Sequence, residues 1–242
     1  MKKILQILTM CLLSLTLNAQ TAQEYLMLGN SSYKKNNYAQ AMQNYQNAIN
    51  QGGNSAELYF NMANACAKLN KKGEALLYYM KAFVQQPRLR EAEANLKLFA
   101  KDNGIKLPEK SAVEMYLLEL SEFEWIIVTM VAFWIMVVLI CIPRMYLKKI
   151  SAYIFLAIIF AIITVVGAIG IVKCNNIRNT AIALTDDVAL RLAPTPHAPI
   201  SSTVQEGTFA KILKRNTNFN YVQTPSGKTG WASTSEFAPI DE

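Results

Sequence analysis

The chain has 242 residues, 52% of them hydrophobic, with a formal net charge of +7 and a single histidine. The charge is scattered rather than clustered: residues 20–110 carry +5, 111–124 carry −4 and 179–242 carry −1. With no basic patch and no recognition motif, nucleic-acid binding is excluded. With no P-loop, GxSxG or HExxH pattern, no enzyme activity, cofactor or metal site is expected.

At the start of the chain, Met1-Lys2-Lys3 precedes the apolar stretch Ile4–Leu17, and Asn18-Ala19-Gln20 follows it. That order reads as a secretory signal peptide over 1–19. Cys11 lies inside it and Cys141 inside a later apolar block. Cys66 and Cys174 remain, far apart and without CxxC spacing, and read as free thiols.

The most specific signal is a repeat. Ala22–Ser55 written above Ala56–Leu89 gives an offset of 34 residues. Tyr25 then falls over Tyr59, Leu28 over Met62, Gly29 over Ala63, Ala41 over Ala75, Tyr45 over Tyr79 and Ala48 over Ala82. Pro87 closes the second copy where the first has Gly53. Asn36-Asn37 and Asn70-Lys71-Lys72-Gly73 supply turns. These residues resemble the tetratricopeptide repeat (TPR) at its signature positions. The resemblance implies an α-helical solenoid over 20–103, with repeats 22–55 and 56–89. Ala92, Leu96 and Phe99 mark a capping helix over 88–101.

Such arrays bind peptides or partner proteins in a concave groove. Here it is expected to be lined by Leu26, Asn30, Tyr33 and Lys34, then Phe60, Asn61, Asn64 and Lys68. Asn30 and Asn64 occupy equivalent places, where an amide clasps an extended backbone by donating and accepting together. Lys34 and Lys68 suit an acidic group; the alternative is that these are solvated residues on helix faces. Leu26 stands where carboxylate-clamping repeats have lysine, so a C-terminal clamp is not expected.

Residues 104–124 form a linker and juxtamembrane helix. Gly104–Lys110, with Pro108, interrupts the helical pattern, and Ser111-Ala-Val-Glu114 reads as a capping box. The helix it opens is expected to run unbroken through Met115, Leu118 and Trp125. Trp125–Ile142 and Ala152–Val172 contain no charged residue. Helices of those lengths span about 27–31 Å, the thickness of a bilayer core. Transmembrane helices are therefore expected over 125–142 and 152–172. The intervening loop 143–149 holds Arg144, Lys148 and Lys149 and no acid. Short loops rich in Lys and Arg stay cytoplasmic, which places both flanking modules in the periplasm. No Asp, Glu, Lys, Arg or His falls inside either span, which argues against transport.

Over 180–242 the pattern changes to short strands: Ala181–Leu184, Val188–Leu192, Thr208–Leu213, Asn220–Gln223 and Thr229–Ser233. Val188-Ala-Leu-Arg191 with Pro194, Val204-Gln-Glu-Gly207-Thr208 and Gly227-Lys-Thr-Gly230-Trp231 resemble a bacterial SH3-like domain. The resemblance implies a small all-β barrel binding cell-wall peptides or protein segments. Tyr221 and Trp231 are its candidate ligand face, with core packing the simpler role for Trp231. Ala232 stands where the family has a larger apolar residue. His197 reads as a surface residue.

The whole is a multidomain membrane protein whose order of parts resembles BatE-type proteins of bacterial aerotolerance clusters. That resemblance implies a non-enzymatic inner-membrane scaffold embedded in lipid. Its expected partners are membrane-anchored von Willebrand-type Bat proteins, in aerotolerance or envelope stress. The residues leave open an alternative: a cell-wall sensor, or a targeting subunit for a cell-wall hydrolase, binding peptidoglycan peptide through the SH3-like module.

Overall fold

The computed structural model describes residues 22–109, 111–146 and 151–241. The signal peptide over 1–19 and residues 147–149 of the expected loop lie outside the described residues, and 143–146, expected in that loop, are the last residues of a helix. The described chain forms two compact units. One contains the residues up to Gln85, Leu89–Pro108 and those from Asn179 onward; the other contains Gln86–Arg88 and Glu109–Arg178.

The first unit opens with five helices: α1 (22–34), α2 (Tyr38–Asn50), α3 (Ala56–Lys68), α4 (Lys72–Gln85) and α5 (Arg90–Asp102). Their apolar residues recur at helical spacing. Ala41, Tyr45 and Ala48 are buried on α2, and Ala75, Tyr79 and Ala82 take the same places on α4. Asn37 and Ser55 cap α2 and α3 by accepting from the backbone N–H of Gln40 and Leu58. Asn36 and Asn70, also 34 residues apart, turn the chain at φ 60° and 58°, a left-handed region that asparagine tolerates. At Gly29 a Cβ would stand 2.3 Å from the Tyr45 ring, so α1 and α2 touch through a missing side chain. The second copy holds a fully buried Ala63 at that place.

The same unit contains seven strands: β1 (Thr180–Ala183), β2 (Val188–Arg191), β3 (Ile200–Val204), β4 (Phe209–Arg215), β5 (Phe219–Gln223), β6 (Thr229–Ser233) and β7 (Phe237–Pro239). They form one open antiparallel sheet in the order β3-β2-β6-β5-β4-β1-β7. The five expected strands are present, and β3 and β7 are additional. The sheet's core is built from small residues, among them Ala181, Ala183, Val188, Val222 and Ala232, around Leu190 and Phe237. At Gly230 a Cβ would lie 2.8 Å from Leu190 Cβ, so β2 approaches β6 closely there.

The sheet rests on the helices. In the first turn of α4, the Gly73 N–H donates to Glu206 Oε1 at 2.8 Å. The carboxylate thereby satisfies one of the helix's orphan N–H groups at the positive end of its dipole. A Cβ at Gly73 would stand 2.4 Å from the Ala183 carbonyl oxygen. Gly207, at φ +78°, lies against Leu76 and Ile105, whose Cδ1 atoms a Cβ would meet at 2.9 and 2.8 Å.

The second unit contains α6 (Ala112–Leu117), α7 (Glu122–Tyr146) and α8 (Ser151–Arg178). Ser111 and Glu114 form the expected capping box. The helix does not run unbroken from there, because the chain carries a second such box. Ser121 Oγ accepts from Glu124 N–H at 3.3 Å, and Glu124 Oε2 accepts from Ser121 N–H at 2.9 Å. α6 therefore stops and α7 starts afresh. Trp125 Nε1 donates to the Leu117 carbonyl at 2.7 Å, which satisfies the end of α6. α7 and α8 pack on each other, Gly167 against Thr129 and Gly170 against the Trp125 ring.

Both helices are long and apolar enough to cross a membrane, over Glu122–Ile142 and Ser151–Arg178. Only 6% and 17% of their most apolar stretches is buried, so Phe123, Trp134 and Phe155 face outward. Beyond the apolar stretch of α8, Lys173 pairs with Glu114 at 2.5 Å and Arg178 with Glu122 at 3.1 Å.

Candidate partner-binding surfaces

A ladder of amides and phenols crosses the helical array. Tyr45 Oη donates to Asn30 Oδ1 at 2.8 Å, and Asn61 Nδ2 donates to the same oxygen at 3.0 Å. One repeat later, Tyr79 Oη and Asn95 Nδ2 donate to Asn64 Oδ1 at 2.6 and 3.1 Å. Each asparagine oxygen so receives two donors, the capacity of a carbonyl. Burial raises the Tyr45 phenol well above its usual range and pushes that of Tyr79 up to about 12. Both phenols remain donors across the physiological range. The Nδ2 groups of Asn30 and Asn64 are what each amide has left for a ligand. Asn95, Tyr45 and Tyr79 were not among the sequence-derived site residues, although the offset of 34 leads from Asn61 to Asn95.

The remaining groove candidates divide. Leu26 is only 5% exposed and belongs to the core, because α1 turns it inward; it offers no surface to a ligand. Tyr33 is half-buried with its ring edge-on to Tyr38 at 5.1 Å. Phe60 is half-buried against the cluster of Tyr59, Ala82 and Ala92. Lys34 and Lys68 are exposed. The structure therefore joins Asn30 with Asn61 in one cluster, places Asn64 in the equivalent cluster one repeat later, and leaves the two lysines in solvent. Cys66 is fully buried and donates to Glu74 Oε2 at 3.7 Å. Burial pushes its thiol up to about 12, which removes it as a nucleophile.

On the sheet, Tyr221 of β5 and Trp231 of β6 are direct cross-strand partners with ring centroids 5.3 Å apart. Trp231 does not pack in the core. Side chains alternate along a strand, and the buried neighbours Gly230 and Ala232 put Trp231 on the outer face, half-exposed. Phe237 fills the interior instead, with no measurable exposure. Arg191 of β2 is the partner of Trp231, and Lys214 of β4 that of Tyr221. Sequence reasoning missed both cations, because register across four strands has no local signature. His197 is exposed. Neither the known protein families nor the curated proteins include a match to this chain.

Proposed function

We propose that this chain is a non-enzymatic scaffold of the bacterial inner membrane. In this reading α1–α5 are a TPR array and the sheet is an SH3-like domain. α7 and α8 are transmembrane helices, and both folded ends lie in the periplasm. The observation that carries it is the division of the chain. One compact unit holds the small helices and the sheet, and the other holds two helices long and apolar enough to cross a bilayer, with outward-facing Phe, Trp and Ile. A buried core helix hides its apolar faces; these expose theirs, as lipid contact requires.

Support for the TPR reading comes from the Asn–Tyr ladder and the paired asparagine turns, which repeat at the offset of 34. Support for the orientation comes from the cations of the short loop, weighed against Lys173 and Arg178. These are two cations at the far end of α8, against three, Arg144, Lys148 and Lys149, in the seven-residue loop, so the bias toward the loop is reduced and not reversed. The partners inferred from the resemblance to BatE-type proteins are membrane-anchored proteins with von Willebrand-type domains, in an aerotolerance or envelope-stress complex.

Crosslinking in intact membranes, followed by mass spectrometry, tests the assignment. The full-length chain is expected to capture such proteins, and Lys34→Glu with Lys68→Glu to lose them while its melting temperature is unchanged. Capture that is indifferent to both substitutions removes the groove from the reading.

A further inference from the structure

We infer that the outer face of β4, β5, β6 and β2 docks an acidic, carboxylate-bearing segment of a partner protein. The inference rests on the scaffold reading and names the chemistry of one of its surfaces.

Lys214, Tyr221, Trp231 and Arg191 form one continuous row, each the direct cross-strand partner of the next. Direct partners share a face of the sheet. Adjacent strands lie about 4.8 Å apart, so the row measures about 14 Å end to end. Two rings make an apolar platform in its middle and a cation stands at each end.

Charge is segregated around this row. Residues 179–242 carry a net −1, yet none of the seven strands contains an acid. Asp186, Asp187, Glu206, Glu236 and Asp241 all lie in turns or after the last strand. Arg215 is met by Asp241 at 2.8 Å. Arg191, Lys211 and Lys214 have no carboxylate partner among the described residues. Arg191 Nη1 donates to the Ala198 carbonyl at 2.9 Å, which holds the guanidinium in place and leaves its charge uncompensated.

The ligand that complements this row has carboxylates separated by about 14 Å, roughly four extended residues, with an apolar or aromatic residue between them. A protein segment is favoured over an anionic glycan because Lys34 and Lys68 present the same sign on the helical array of the same unit. One acidic partner is then met on two surfaces.

The test uses the full-length chain in detergent and fluorescence anisotropy. The probes are a labelled peptide with a glutamate at every fourth position and a tyrosine between, the same peptide with glutamine, and hyaluronate. The acidic peptide is expected to bind about tenfold more tightly than the glutamine form, and less tightly as salt is raised. Arg191→Gln with Lys214→Gln should weaken it about tenfold with an unchanged circular dichroism spectrum. Tyr221→Ala should weaken both peptides alike. Equal binding of the two peptides, indifference to the charge-removing pair, or retention of hyaluronate alone overturns the inference. Partner capture in membranes separates the two levels. Capture that survives loss of the row's charges, with peptide binding also unchanged, sinks only this inference. No capture by the parent chain sinks the scaffold reading itself.

Discussion

Asn64 illustrates how one side chain serves two readings. Its spacing from Asn30 suggests a ligand clasp, but its oxygen already accepts from Tyr79 and Asn95. Asn64→Ala strands both donors in a half-buried place and is expected to cost about 1–3 kcal/mol. Tyr79→Phe removes a donor without leaving one unmet and should cost about 1 kcal/mol. Because the two share a hydrogen bond, the double variant should cost less than the sum. Thermal melts of the three variants in detergent check this, and an additive cycle would dismantle the ladder. The sequence showed that the amides recur; it did not show what their oxygens face. That depends on where the neighbouring helix sets Tyr79, a tertiary matter. Trp231 was misread toward the core for a related reason. The Gly-Trp pair is local, whereas the face it occupies is decided by Ala232 and Gly230 pointing inward.

Helices were more legible than strands, since their signals lie close together in sequence. The period of 34, the asparagine turns and the Ser111 capping box all stand in the structure. The break between α6 and α7 was legible too, as Ser121-Glu-Phe-Glu124, but the long apolar run that follows masked it. β3 reads Ile-Ser-Ser-Thr-Val and β7 has three residues, too polar and too short to stand out by alternation. Gly73→Ala tests the seam between α4 and the sheet. In a free helix this change gains about 0.5–1 kcal/mol. Here the Cβ meets the Ala183 carbonyl and Leu184 backbone, so a lower melting temperature is expected; a higher one would deny the seam.

α6 is tied to α8 by an ion pair with its own pH signature. The bond from Lys173 holds the Glu114 carboxyl below its ordinary range, with help from Ser111 N–H. A carboxyl whose folded value is depressed contributes above its unfolded value and loses that contribution as pH falls through the folded one. The protection factors of the α6 amides, taken against the intrinsic exchange rate at each pH, should therefore fall on acidification below the ordinary carboxylate range, and Lys173→Gln should flatten that dependence. An unaltered pH profile in the variant would detach Glu114 from the effect.

At the scale of the molecule, composition made the apolar pair plain, because charge is absent over two long blocks. The association of the sheet with the helices was invisible in the sequence. Gly73 and Glu206 are 133 residues apart, and neither belongs to a motif that names the other. Topology is the broadest prediction. Single cysteines placed at exposed Lys34 and at exposed Lys228, in a chain freed of its own cysteines, should both react with a membrane-impermeant maleimide in intact spheroplasts. One in the 143–149 loop should react only after lysis. The reverse pattern would invert the proposed orientation.

The seam at Gly73 also orders biogenesis. The first turn of α4 is finished by a carboxylate that leaves the ribosome only after both apolar helices have been made. On the proposed topology, that carboxylate reaches its N–H only when the chain has crossed and returned. A copy that inserts one helix and stalls keeps its halves in different compartments, with Leu76 and Ile105 uncovered. On that topology, correct insertion is written into the stability of the fold, because Glu206 meets Gly73 only after both apolar helices are in place.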